Sequence, residues 1–299
     1  MTSQHLFPDK KPPLTFMMPG FPKCATTSFC DLLGQHKDVF ISTPKEPGFF
    51  SFGKYSQDLK WEWYNSIYKG SEDYQAVGDC SVNYCCSRYR GLAEPKLISE
   101  LYPDLALIFI VRDPIKRIMS HWRHHAVIGH PKNLPRFNRA VEEFSMFLNT
   151  SRYYSHISRY RRHFSDENIK VIFYEDFATD PVTEIEQTLS FLGLDPSISL
   201  QEPNKPRNAN TANYRDNKLT ARLRNIPGAK ALREFSPQVV RQALRPLLKD
   251  KNDNSIVWNR KTLEWAIMEL EDDWLRLLEY AGRDPHDFPL DINTYPNVV

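Results

Sequence analysis

A lysine placed just ahead of a cluster of hydroxyls is a way to hold an anion. Lys23 precedes Thr26, Thr27 and Ser28 in the segment Pro19-Gly20-Phe21-Pro22-Lys23-Cys24-Ala25-Thr26-Thr27-Ser28. Where such a segment opens a helix, unpaired backbone N–H groups and the positive end of the helix dipole face the ligand. Lys23 adds a mobile point charge, and the hydroxyls add donors. Thr26 can equally serve as a simple helix cap with Lys23 solvated. A second set begins at Arg112, directly before Asp113-Pro114, with Ser120 further on. An arginine with a hydroxyl on the following helix can hold a phosphate by charge-assisted hydrogen bonds. Alternatively, Arg112 pairs with Asp113 at the surface. Together the two sets suit one anionic ligand with two separated phosphate groups.

Such residues need elements to position them. The run Leu14 to Met18 reads as a short buried strand leading into the Lys23 segment, and Phe29, Leu32 and Leu33 then share one helical face. Gln75 to Cys80 and Ile169 to Tyr174 read as further strands. Leu105 to Val111 is a continuous apolar run that suits a central parallel strand covered on both faces. Asp113 is a good N-cap and Pro114 a good first helical residue. Ile115, Ile118, Met119, Trp122 and Ala126 follow as an apolar stripe, with Arg117, Ser120, His121 and His124 on the other side. Asp180-Pro181 opens a helix that Gly193 ends, and Lys261 to Tyr280 is a strongly amphipathic helix with Leu263, Ile267, Leu270, Trp274 and Leu277 as core candidates. Strands alternating with helices predict an α/β fold, one domain over residues 1–299 with a central parallel sheet flanked by helices. Residues 1–13 read as a flexible N-terminal segment and 195–217 as a long surface loop.

Composition narrows the function. With 39 Lys+Arg against 37 Asp+Glu the net charge is +2, which argues against a general nucleic-acid binder. The 41% hydrophobic and 25% charged residues are those of an ordinary globular chain. Only 11 glycines accompany 22 prolines, and neither GxGxxG nor GxxxxGK[ST] occurs, so any phosphate cradle is built with few glycines. The N-terminal segment has no apolar core, and the longest strongly apolar run is too short to span a bilayer, so the expectation is a cytoplasmic protein without a membrane partner. Five cysteines, Cys24, Cys30, Cys80, Cys85 and Cys86, none in CxxC spacing, read as reduced thiols.

Six stretches carry a family resemblance. Pro22 to Ser28 resembles the 5′-phosphosulfate loop of sulfotransferases that use 3′-phosphoadenosine 5′-phosphosulfate (PAPS). Arg112-Asp113-Pro114, continuing to Arg117 and Ser120, resembles their 3′-phosphate motif. Lys45-Glu46-Pro47-Gly48-Phe49-Phe50 is similar to the Lys-Glu-Pro-x-Phe-Phe segment of heparan-sulfate-type and related bacterial members. Phe173-Tyr174-Glu175-Asp176, Phe191-Leu192-Gly193-Leu194 and Leu278 to Asp284 resemble their second half. The resemblance implies a P-loop-kinase-like sulfotransferase fold. It also implies transfer of the sulfuryl group of PAPS to a hydroxyl or amine of a small-molecule or sugar acceptor, with release of adenosine 3′,5′-bisphosphate (PAP) and no metal.

The roles it implies are specific. Lys23 neutralises the oxygen bridging sulfur and the 5′-phosphate, while Cys24, Ala25, Thr26, Thr27 and Ser28 hold that phosphate. Arg112 and Ser120 hold the 3′-phosphate, and Glu46 is the base that takes the acceptor proton. Many relatives have Gly where this chain has Cys24 or Ala25, so the nest requires those residues to avoid positive φ. Candidates for a late basic contact to the 3′-phosphate are Lys205, Arg207 and Arg215, with Arg207 preferred. Tyr174 packs near the adenine or is a strand-end core residue. Asp79 and Ser81 line the acceptor site. His121 or His124 is an alternative base, and His121 with His125 has the spacing of metal ligands but lacks the glutamate of HExxH. The alternatives in function are an ATP-dependent kinase, which lacks its Gly-Lys-Ser/Thr step, and a nucleotide-binding module without turnover.

Overall fold

The computed structural model describes residues 10–51, 61–85, 93–128, 134–203, 214–216, 249–251, 256–295 and 298–299. Its centre is a five-stranded, all-parallel sheet of β1 (Phe16–Gly20), β2 (Val39–Ile41), β3 (Ala76–Asp79), β4 (Ala106–Val111) and β5 (Ile169–Phe173), in the order β2-β3-β1-β4-β5. β1 and β3 are buried throughout, and β4 is buried from Leu107 onward, as expected for strands covered on both faces. Three of the strands expected from sequence are found within a residue or two of their expected limits. The fourth, β1, starts and ends two residues later than Leu14–Met18, and β2, only three residues long, was not expected.

The sheet has a topological switch between its two inner strands. From β1 the chain moves to the β2-β3 side, and from β4 it moves outward to β5. The carboxyl ends of β1 and β4 therefore flank the crevice where open α/β sheets bind ligands. β1 also carries a bulge. Met17 pairs with Leu107 but Gly20 pairs with Phe109, so Met18 and Pro19 together face Ile108. Pro19 has no N–H to give the ladder, and a bulge is where a central strand tolerates that.

Helices cover both faces: α1 (Thr26–Leu33), α2 (Trp61–Ser66), α3 (Pro95–Leu101), α4 (Pro114–Ile128), α5 (Phe137–Glu143), α6 (Met146–Asn149), α7 (Tyr153–Arg161), α8 (Tyr174–Thr179), α9 (Pro181–Phe191) and α10 (Arg260–Tyr280). α10 buries Leu263, Leu270, Trp274 and Leu277, while Ile267 is half-buried. Its Asp273 accepts bonds from the N–H groups of Tyr154 (2.9 Å) and Ser155 (2.8 Å), capping α7 from outside. Arg283, just past α10, grips Asp176 on α8 with two nitrogens, at 2.7 and 3.2 Å. A two-stranded antiparallel pair, β6 (Tyr214–Asp216) and β7 (Lys249–Lys251), has its first strand against α4. The segment 195–217 was expected to be loop throughout, and β6 corrects that. Among the described residues no helix is long and apolar enough to cross a membrane.

Candidate active site

The turn after β1 is anchored from beneath. Phe21 is fully buried and meets Tyr153 edge-on at 4.7 Å. A Cβ on Gly20 would stand 3.1 Å from Cys85 Cβ, so a larger residue there would press on Cys85 and need it to give way slightly. Cys24 points inward, and burial pushes its thiol up to about 12. Lys23 and Ala25, on either side of it, lie at φ +73° and +62°. The expectation that Ala25 avoids positive φ is thus corrected: the turn takes the left-handed conformation with alanine in place. Ala25 is also the N-cap of α1 and offers no side-chain oxygen to the first turn, so Thr26 is the first helical residue and not the cap. Thr26 is buried, while Thr27 and Ser28 are half-buried. Burial lowers the Lys23 pKa, the cations Arg112 and Arg117 add to that, and Glu46 opposes them.

The turn after β4 is built differently. Asp113 Oδ1 accepts from the N–H groups of Ile115 and Lys116, both at 2.9 Å, and so caps α4 with Pro114 in its first turn. Arg112 extends back toward β1, where its Nη1 donates to the Lys23 carbonyl at 3.4 Å. Its guanidinium lies 4.3 Å from the centre of the Tyr174 ring, and its Nε is buried with no hydrogen-bond partner among the described residues. Tyr174 is half-exposed at the start of α8, so it is not a core tyrosine. The next residue, Glu175, was not singled out from sequence. Its Oε1 accepts from the Asp113 N–H at 3.2 Å, tying α8 to the Arg112 turn, and burial raises its pKa.

Glu46 stands exposed on the loop after β2, and its Oε1 is 3.3 Å from Lys45 Nζ. The far side of this loop is fixed to a buried carboxylate. Asp79 accepts from the hydroxyls of Ser81 (2.5 Å), Tyr64 (2.6 Å) and Tyr84 (2.6 Å). The Gly48 N–H donates to Ser81 Oγ at 2.9 Å, and the Phe50 N–H to Tyr84 Oη at 3.4 Å. Gly48 itself sits at φ +65°, with Asn83 where a Cβ would be. Asp79 and Ser81 are fully buried, and all their described bonds go to this loop and its supports. Burial raises the Asp79 pKa, and its three hydroxyl donors pull the other way. These hydroxyls come from α2 (Tyr64) and from the turn after β3 (Ser81 and Tyr84), a convergence that periodicity does not reveal.

The polar side of α4 also departs from its sequence pattern. Arg117 is fully buried and donates to Ser151 Oγ (2.7 Å) and the Phe147 carbonyl (2.5 Å). Its Nη1 is 3.1 Å from His121 Nδ1, and His121 Nε2 is 3.0 Å from His125 Nε2. A guanidinium only donates, so His121 accepts at Nδ1 and passes its Nε2 proton toward His125. With both nitrogens engaged inside the protein, His121 is not placed to take an acceptor proton. His124 is half-buried beside His125, and Ser120 is half-buried about two turns past Arg112. Arg207, Lys205 and Cys86 lie outside the described residues, whereas the Arg215 backbone belongs to the strand beside α4. Among the described residues no group of three His, Cys, Asp or Glu side chains could hold a metal ion.

The parallel sheet sets a cationic turn at each side of its switch point, where open α/β sheets bind ligands. Residues 14–225 match the sulfotransferase domain family, and the chain belongs to it. It is 26% identical to human heparan sulfate glucosamine 3-O-sulfotransferase 3B1 over 58% of this chain and 45% of that protein. It is 24% identical to mouse bifunctional heparan sulfate N-deacetylase/N-sulfotransferase 3 over 62% of this chain and 23% of that protein. The chain therefore spans less than half the length of these curated relatives. The crystal structure of a sulfotransferase from Alicyclobacillus acidocaldarius has the same fold, with a TM-score of 0.63 at 20% identity over 92% of this chain and 98% of that one.

Proposed function

We propose that the chain is a PAPS-dependent sulfotransferase that moves the sulfuryl group to a hydroxyl or amine of a small-molecule or sugar acceptor and releases PAP. The observation that carries this reading is the meeting of the Lys23 and Arg112 turns, 3.4 Å apart across the switch point, in a member of the sulfotransferase family. The residues suit the group. Arg112 Nε is buried and still unpaired, and α1 has no side-chain cap, so donors remain for two phosphates.

PAPS supplies an activated sulfuryl group: sulfur bonds to the acceptor atom as its bond to the 5′-phosphate oxygen breaks, and that electron pair leaves with the phosphate. Lys23 and the backbone of Cys24 to Ser28 hold the negative charge that builds up there. Arg112, Ser120 and a late basic residue hold the 3′-phosphate. The candidates for that last role are Lys205, Arg207 and Arg215. Tyr174 offers a ring face beside Arg112 for the base. Glu46 takes the acceptor proton from its exposed loop, and Asp79 with Ser81 positions that loop. The charge is met by the protein's own cations, without a metal. The whole chain acts as one catalytic domain. The thiols of Cys24, Cys30 and Cys80, in no disulfide among the described residues, support a cytoplasmic, reducing location.

A sugar acceptor is favoured by the names of the relatives, which act on glucosamine units of heparan sulfate. The test is a labelled-PAPS transfer assay over a panel of amino sugars, sugar alcohols and hydroxylated metabolites, read by mass spectrometry. Glu46→Gln should lower kcat about 10²- to 10⁴-fold with PAP affinity nearly unchanged. No labelled product from any acceptor, or collapse of PAP binding in Glu46→Gln, would count against the reading.

A further inference from the structure

Lys45 has no role in the site as assigned so far. Its side chain is half-buried, with Nζ 3.3 Å from Glu46 Oε1 and 3.4 Å from Thr27 Oγ1. Thr27 lies in the first turn of α1, so one ammonium links the loop that carries the proposed base to the helix that opens the phosphate cradle. The other cations at the site do not make this link: Arg112 reaches the Lys23 carbonyl, and Lys23 has no ion pair among the described residues. A pair between sequence neighbours is usually weak at a surface. Here the loop is clamped a few residues on, where Gly48 and Phe50 bond to the Asp79 network. The charged or titratable groups that face Lys45 are Glu46 from its own loop, Cys30 from α1 and Cys80 after β3. Glu46 is faced by Lys45 and, from the turn after β1, by Lys23. Burial would lower the Lys45 pKa, but Cys30, Glu46 and Cys80 together more than reverse it, so Lys45 stays charged.

We propose that Lys45 is a positioning residue that holds the Glu46 carboxylate against the start of α1 and shares its charge between the base and the cradle. This rests on the reading of Glu46 as the base. While Glu46 is ionised, Lys45 is its counter-ion. When Glu46 takes the acceptor proton, the carboxylate is neutralised and the pair loses its attraction. The undiminished ammonium charge then faces Thr27 and the cradle. Proton removal from the acceptor and charge build-up at the cradle thereby draw on one cation in sequence.

The test uses the full-length protein, PAP, PAPS and an acceptor identified in the transfer screen. Lys45→Met should lower kcat roughly 10- to 100-fold with KM for PAPS little changed, because the base has lost the cation that holds it. Lys45→Arg should restore most of that loss. PAP affinity by calorimetry should change less than about threefold, since Lys23 and Arg112 supply the phosphate-binding charge. In a Glu46→Gln background, Lys45→Met should lower kcat by far less than it does in the otherwise unaltered protein, because residues that act as a unit are not additive. Failure of Lys45→Arg to restore turnover overturns the inference, and so does a full additional loss in the double variant. A tenfold or larger loss of PAP affinity also overturns it, making Lys45 a phosphate ligand. Wild-type turnover in Glu46→Gln overturns the base reading itself, separately from Lys45.

Discussion

The turns after β1 and β4 do the same topological job in opposite ways. Both leave an inner parallel strand, both flank the switch point, and both lead into a helix. After β4, Asp113 satisfies the first turn of α4 with two 2.9 Å bonds, so that helix end has little left for a ligand. What this turn offers is a side chain, Arg112. After β1, the cap is an alanine, and the turn carries two non-glycine residues at positive φ. What it offers is backbone, with Lys23 set among it. One turn is built for stability and lends a charge; the other gives up stability to keep its donors unspent.

The largest expected effect separates the two cations. Lys23→Ala should lower transfer at least about 10²- to 10³-fold while the protein stays folded, because in the proposed mechanism Lys23 acts on charge that develops during transfer. Arg112→Ala should act mainly on PAP affinity, by about 10- to 100-fold, because in that mechanism it holds charge present throughout. Calorimetry with PAP and single-turnover rates separate the two. Equal loss of affinity in both variants would erase the division of labour between the turns.

Next in size is the cap. Asp113→Ala should cost about 1–2 kcal/mol of stability, because two N–H groups at the start of α4 lose their acceptor. Asp113→Asn should cost much less, since asparagine caps as well as aspartate. Thermal unfolding with and without PAP checks this. If Asp113→Ala leaves the melting temperature unchanged, α4 does not depend on its cap, and the contrast with α1 is empty.

How much of this was readable beforehand depends on whether a feature is local. The strands Ala76–Asp79, Ala106–Val111 and Ile169–Phe173 announce themselves as apolar runs, and the Asp113-Pro114 start of α4 is a local capping pattern that the structure shows atom by atom. β2 is too short to show a period. That Arg112 touches the Lys23 turn depends on β1 and β4 being neighbours, which spacing along the chain does not state. The polar side of α4 looked like a solvent or ligand face, yet Ser151 and the Phe147 carbonyl close over Arg117. Asp79 looked like a residue facing an acceptor, yet the hydroxyls of Tyr64 on α2 and Tyr84 just after β3 enclose it. Lys45 stood within a recognised motif, but its link to Thr27 exists only once β2 and α1 are packed.

The smallest effect probes the strain directly. Ala25 pays roughly 1–2 kcal/mol for its left-handed backbone, a cost glycine does not bear. Glycine adds about 0.4–1 kcal/mol of unfolded-state entropy in return. Ala25→Gly should therefore stabilise the protein by about 0.5–1 kcal/mol, seen as a rise of a few degrees in melting temperature. PAP affinity should stay within about twofold, since the donors are backbone N–H groups that the substitution keeps. Arg112 and Asp113 are not among the described non-glycine residues at positive φ, so glycine at either should only destabilise. A loss of stability in Ala25→Gly would mean that the alanine methyl is packed and the turn after β1 is not strained. The two turns would then differ in their caps alone.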